Sequence, residues 1–117
     1  RRDNHKFYQN IFKSIKGVKV HKEFSSNYFS NHWLTCIVID EKISNFNNQE
    51  LRIALEAGNI ESRPLWKPLH LQPVFDSFEF YGSKVCENLF KIGLCLPSGS
   101  NLSKEDKTRI SNVIKSL

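Results

Sequence analysis

The chain has 117 residues, 39% of them apolar, 12% aromatic and 25% charged, which is the size of one domain and excludes a chain disordered over most of its length. No stretch approaches the roughly 20 apolar residues of a membrane span. The net charge of +5 is scattered from Arg1 to Lys115 with no basic cluster carrying interleaved stacking aromatics, so neither nucleic acid nor membrane is an expected partner.

The chain opens Arg1-Arg2-Asp3-Asn4-His5-Lys6, without the basic-apolar-small pattern of a signal peptide, and contains no methionine. It is therefore expected to be a piece of a longer protein, with its first helix already under way at Arg1. Tyr8, Ile11, Phe12 and Ile15 lie on one face of that helix, and Gly17 is placed to cap its end. A short strand is predicted over Val18–Val20, and the polar segment from His21 to Asn31 reads as a loop.

Trp33–Ile39 is nearly continuously apolar and rich in β-branched residues, which predicts a strand central in its sheet or covered on both faces. After a turn over Asp40–Phe46, Asn47 with Glu50 three residues on forms a capping box. It opens a helix with Leu51, Ala54 and Leu55 inward, ending near Gly58-Asn59. Ile60–Trp66 is a second strand candidate, whereas Pro68–Phe75, with two prolines, is expected to be irregular.

Ser83 is expected to cap a third helix, with Val85, Cys86, Leu89 and Phe90 inward and Gly93 closing it. Leu94–Leu96 then makes a short strand. Ser103 caps a last helix whose Glu105 and Asp106 suit the positive end of the helix dipole, with Ile110, Val113, Ile114 and Leu117 as its buried stripe. These elements make an α+β fold, a small mostly antiparallel sheet covered by helices, in a single domain over residues 1–117.

Cys36, Cys86 and Cys95 are odd in number and have neither zinc-knuckle nor C-x-x-C spacing. Set among apolar neighbours, they read as buried thiols of a reducing compartment, which makes the cytoplasm the expected location. The histidines at 5, 21, 32 and 70 lie far apart in sequence, so no metal site is predicted. Nucleophile elbow and P-loop are also missing. No self-contained active site is legible.

The densest polar-aromatic stretch is Glu61-Ser62-Arg63-Pro64-Leu65-Trp66-Lys67-Pro68-Leu69-His70-Leu71-Gln72-Pro73. Its prolines stiffen a connection from which Arg63 and Lys67 offer cationic groups for an anion. Trp66 offers a stacking surface, and His70 and Gln72 offer hydrogen bonds. These are tools for a phosphate, a carboxylate or a sugar. A plainer reading stands beside this one: Trp66 packs in the core, Arg63 pairs with a surface acid, and His70 is a satisfied loop residue.

This R-P-x-W-K-P-x-H-x-Q-P stretch occurs with Trp33–Asp40, Leu51–Leu55 and the Leu94-Cys95-Leu96-Pro97-Ser98-Gly99-Ser100 tail in an order that resembles the C-terminal region of the DegT/DnrJ/EryC1/StrS aminotransferases. The resemblance spans nearly the whole chain, weakest over residues 18–30. It implies the C-terminal small domain of a fold-type I, pyridoxal-phosphate-dependent enzyme. The implied reaction moves an amino group from glutamate to a nucleotide-linked keto-sugar, and the loop is similar to the branch acting on UDP-2-acetamido-4-keto-6-deoxyhexoses in bacterial surface-polysaccharide biosynthesis.

By the same resemblance, the Schiff-base lysine lies outside this chain and is not Lys67. No catalytic residue is assigned here, and the chain alone is expected neither to bind the cofactor nor to be active. His70 is the foremost substrate-binding residue, followed by Lys67, Arg63, Trp66 and Gln72. The implied partners are the large domain of the parent enzyme, a second copy in a homodimer and the nucleotide sugar. Two alternatives stand: the small domain of a pyridoxal-phosphate-dependent sugar dehydratase, and a free-standing, non-catalytic binding or oligomerisation module. Exposed alone, the domain is expected to self-associate through the region of Phe7, Phe12 and Trp33.

Overall fold

The computed structural model describes residues 1–117. In chain order the elements are α1 (Arg2–Phe12), β1 (Val18–Val20), β2 (Thr35–Ile39), α2 (Asn48–Ala57), β3 (Arg63–Pro64), α3 (Val85–Ile92), β4 (Gly93–Leu96) and α4 (Lys104–Lys115). The four strands form one antiparallel sheet in the order β1-β2-β4-β3. The β-branched run is thus central, as its composition predicts. The strand is shorter than its apolar run, because Trp33 and Leu34 stand before it at the rim of the sheet.

Period-2 alternation decides the two faces of the sheet. Thr35, Ile37 and Ile39 of β2 point to the side where Tyr8, Ile11 and Phe12 of α1, Leu51 and Leu55 of α2, and Ile110 and Ile114 of α4 are buried. Leu94 and Leu96 lie opposite Ile37 and Thr35 and join the same core. Cys36, Val38, Gly93 and Cys95 face the other way, toward α3 and the segment entering the proline-rich loop.

The predicted capping box closes, and the cap expected at Ser103 proves to be a second one. The Asn47 side chain accepts from the N–H groups of Gln49 and Glu50 at 2.9 Å, while the Glu50 carboxylate accepts from Asn47 N–H at 2.8 Å. Ser103 and Asp106 exchange the same reciprocal pair in α4, which satisfies otherwise orphaned amides and draws the Asp106 carboxyl below its usual range.

Several local expectations are corrected. Gly17 does not cap α1, which ends at Phe12 with Lys13 as its cap. With φ at 79°, Gly17 serves instead a tight approach before β1: a Cβ there would lie 2.6 Å from Ser44 N and 2.9 Å from Asp40 O. Ser83 does not cap α3; Lys84 precedes it, without a side-chain cap. Nor is the α3 stripe inward. Val85, Cys86 and Leu89 are exposed and Phe90 half-buried, because α3 lies on the outer face of the sheet, away from the main core.

The second strand candidate shrinks to Arg63–Pro64, an edge position that tolerates proline. Leu117 lies past the end of α4 and is exposed. Phe12 is in the core and Phe7 packs against it, so of the three residues expected to drive self-association only Trp33 is exposed. Of the thiols, only Cys95 is buried: Cys36 is half-buried and Cys86 exposed.

Candidate functional site

Where β3 meets β4, the sheet edge opens into a groove of about 420 Å³. Arg63, Pro64 and Trp66 form one wall, Leu96, Pro97 and Ser98 another, with Trp33 at the rim and Cys95 on its lining. The two indole rings lie 6.0 Å apart, tilted by 31°. Ser62 Oγ also borders the groove, buried and without a hydrogen-bond partner, so a ligand group could claim it.

The far wall is held from α1. Tyr8 donates its hydroxyl proton to Pro97 O at 2.7 Å, Asn4 donates an amide proton to Gly99 O at 2.7 Å, and Arg1 donates to Ser98 O at 2.8 Å and to Trp33 O. Ser98 completes the clamp, accepting from Thr35 N–H and donating to Leu96 O, both at 2.8 Å. Burial pushes the Tyr8 phenol above its ordinary value, so it stays a donor throughout the working pH range. Polar residues of α1 thereby fix the tail that the sequence shows only as Pro-Ser-Gly-Ser.

The near wall depends on Gly93. A Cβ at this position would sit 2.2 Å from Leu65 Cδ1 and 2.6 Å from Leu89 O, so only glycine lets Leu65 seat on the sheet and carry Arg63 and Trp66 to the groove. Beyond Trp66 the loop closes in two 3-10 turns, Leu69–Leu71 and Pro73–Phe75, in the segment expected to be irregular.

The five predicted residues divide between two places. Arg63 and Trp66 line the groove, and Trp66 is 65% exposed, which removes the reading that it packs in the core. Arg63 does pair with a surface acid, its Nε–H lying 2.7 Å from Glu61 Oε1. Lys67 is exposed at the surface, and Gln72 turns inward to donate to the Lys67 carbonyl at 3.1 Å, bracing the loop.

His70 leaves the groove and faces α3. Its Nε2 lies 3.2 Å from Glu87 Oε1, and its ring stacks on Phe80 with centroids 3.6 Å apart. Nε2 is the ring nitrogen turned to the carboxylate, which leaves Nδ1 without a hydrogen-bond partner in the chain. The arrangement satisfies His70 and also orients it. Phe80 and Glu87 escape a reading of the sequence because they lie 10 and 17 residues further along the chain.

Long-range pairing also appears near the start of α1, where His5 stacks on His32 with centroids 3.7 Å apart. Glu23 lies 3.7 Å from His32 Nε2 and accepts from Arg2 and from Ser30 N–H. Both imidazoles are buried; burial first, with Arg2 adding its charge, lowers their proton affinity below the ordinary histidine value. The unfolded chain therefore takes up protons first, as pH falls through about 6.5. Stability is expected to hold above that pH and to fall steadily below it until the folded histidines titrate. His32 has φ at 47°, a conformation asparagine tolerates, so His32→Asn should reduce the slope. Urea midpoints at pH 7.5 and 5.5 check this, and identical midpoints for the unaltered protein would contradict it.

The chain matches the DegT/DnrJ/EryC1/StrS aminotransferase family over residues 1–115. It is 43% identical over 114 residues to EpsN of Bacillus subtilis (strain 168), whose name provisionally assigns it as a pyridoxal phosphate-dependent aminotransferase; the match covers 94% of this chain and 28% of that protein. It is 32% identical over 99 residues to a GDP-perosamine synthase of Vibrio cholerae, covering 84% of this chain and 26% of the relative. Among solved structures, the aminotransferase TlmJ from Streptoalloteichus hindustanus superimposes with a TM-score of 0.81 at 17% identity, over 98% of this chain and 30% of that one, and so shares the fold. The chain spans less than a third of the length of each of these proteins.

Proposed function

The chain belongs to the DegT/DnrJ/EryC1/StrS aminotransferase family, and from that premise we propose that it is the small domain of a pyridoxal-phosphate-dependent sugar aminotransferase. The observation that carries the reading is the groove itself. Two exposed indoles, a guanidinium and an unpartnered serine hydroxyl stand on a frame fixed by Gly93, Tyr8 and Asn4. Apolar ring faces with a few convergent polar groups suit a sugar nucleotide, whose base and sugar offer flat surfaces and whose diphosphate needs cations.

The chain does not by itself fit the cofactor. No lysine lines the groove to form a Schiff base, and Lys67 is exposed on the loop outside that lining. We therefore assign the cofactor's cradle and its lysine to a large domain outside this chain, and derive no step through the cofactor here. The residues of this chain bind and orient the keto-sugar: Trp66 by stacking, Arg63 and Lys67 by charge, and His70 as a hydrogen-bonding group held by Glu87 and Phe80. Gln72 keeps the loop in shape.

The exposed aromatics Trp33, Trp66, Phe78 and Tyr81 would be covered by the large domain or by the second subunit of a homodimer. Glutamate is the proposed amino donor and a UDP-2-acetamido-4-keto-6-deoxyhexose the proposed acceptor. The similarity to a GDP-perosamine synthase favours one second reading, a GDP-linked keto-sugar as acceptor.

The test supplies full-length protein carrying this chain with pyridoxal phosphate, glutamate and either nucleotide keto-sugar, and follows products by mass spectrometry. The proposal expects an amine in place of the sugar carbonyl, with one 2-oxoglutarate formed per amine. Amination of only the GDP sugar would select the second reading. Failure with both sugars, in protein that has bound the cofactor, would reject the assignment. Loss of water from the sugar without nitrogen gain would mark a dehydratase.

A further inference from the structure

On the outer face of the sheet, Cys36 of β2 and Cys95 of β4 are directly paired in the antiparallel register. Their sulfurs lie 3.7 Å apart. The Cys36 carbonyl accepts from His21 N–H at 2.9 Å, on the β1 side of the strand, and Cys95 is paired in register with Arg63 on its other side. The main-chain polar groups of both cysteines therefore point away from each other. That makes them a non-hydrogen-bonded cross-strand pair, the position where facing side chains come closest, with Cα atoms typically about 4.5 Å apart. A disulfide requires Cα atoms about 4.4–6.8 Å apart, so side-chain rotation alone closes the bond, with no shift of either strand.

We propose that Cys36 and Cys95 form a redox-modifiable thiol pair, converted by peroxide-class oxidants into a disulfide that staples β2 to β4 beneath the candidate groove. Access favours Cys36 as the first sulfur to react, because it is half-buried whereas Cys95 is buried. Sharing a proton with Cys95 draws the Cys36 thiol down to about 7 and pushes Cys95 up, which supplies thiolate on the accessible partner.

The chemistry balances with the peroxide as oxidant. The Cys36 thiolate attacks a peroxide oxygen, the O–O bond breaks, and the displaced hydroxide takes a proton to leave as water, giving a sulfenic acid on Cys36. Cys95 then attacks that sulfur, the S–O bond breaks, the S–S bond forms, and the Cys95 proton leaves with the second water. The two sulfurs lose two electrons together, and the peroxide gains two. Cys95 lines the groove and pairs with Arg63, so the new bond forms next to the groove wall that carries Arg63.

Cys86, exposed on α3, is the internal control. Folded full-length protein carrying this chain is treated with hydrogen peroxide, alkylated and mapped by peptide mass spectrometry. The expected result is a Cys36–Cys95 link, two hydrogen masses lighter than the reduced pair and reversed by dithiothreitol. The link should persist in Cys86→Ser, vanish in Cys36→Ser, and drop severalfold when the protein is oxidised in urea. If Cys86 is oxidised while Cys36 and Cys95 remain free thiols, the proposal is overturned. A yield of Cys36–Cys86 link equal to that of Cys36–Cys95, or a yield unaffected by urea, would overturn it as well, since neither needs the register pairing. These outcomes are independent of whether the protein aminates a sugar.

Discussion

Leu94→Ala is expected to lower the unfolding free energy by about 2–5 kcal/mol, the usual cost of a large-to-small change in a packed core. Leu94 is fully buried and sits on β4, which joins β2 to the short edge strand β3. Removing its isobutyl group opens a cavity beside Ile37 of β2 and Pro64 of β3, its register partners. Against a typical stability of about 5–15 kcal/mol, that is a large fraction of the total. Because Pro64 lies within the loop motif, the groove should loosen with the core. Urea unfolding followed by tryptophan fluorescence reads both effects, since Trp33 and Trp66 border the groove. Leu117→Ala, at an exposed position beyond α4, should stay within about 0.5 kcal/mol. Equal midpoints for the two variants would contradict the assignment of Leu94 to the core.

His70→Ala, in full-length enzyme, is expected to lower kcat/KM for the keto-sugar at least about tenfold, equivalent to the roughly 1.4 kcal/mol of one well-placed hydrogen bond. The expectation rests on how His70 is held: Glu87 fixes one ring nitrogen, Phe80 fixes the ring plane, and Nδ1 remains to meet a ligand. The effect should appear as a raised KM for the sugar or a lowered kcat, with the reaction toward the amino donor unchanged. Glu87→Gln should show a smaller change in the same direction, because an amide still accepts from Nε2 but binds it less strongly. A His70→Ala enzyme that melts earlier but keeps both constants would mean that His70 only fastens the loop to α3.

Much of this architecture is legible in local pattern. Asn47 with Glu50 marks the start of α2, the β-branched run marks the central strand, and the 3.6-residue spacing of Tyr8, Ile11 and Phe12 marks the core face of α1. The misreadings share a cause: each needs information from a distant residue. Val85, Cys86 and Leu89 have helical spacing, but spacing does not say how far a stripe is covered, and in this chain all three remain exposed. Gly17 looks like a helix cap until Ser44 and Asp40 are seen to crowd it. At the site, the loop motif identifies Arg63 and Trp66, whereas the partners of His70, the clamp from α1 onto Pro97 and Gly99, and the Cys36–Cys95 contact arise only when strands and helices come together. Sequence spacing cannot report them.

Trp66 is the residue on which the central reading turns, since it is exposed in this chain yet stands on a rigid wall. The decisive measurement is the rate of each half-reaction in full-length enzyme carrying Trp66→Ala, with the amino donor and the nucleotide keto-sugar supplied separately to cofactor-loaded protein. A stacking contact worth about 1–3 kcal/mol predicts a keto-sugar half-reaction slowed about tenfold or more at subsaturating sugar, beside a donor half-reaction within about twofold of the unaltered enzyme. Equal rates in both halves, or an equal loss in both, would contradict the placement of this small domain over the sugar.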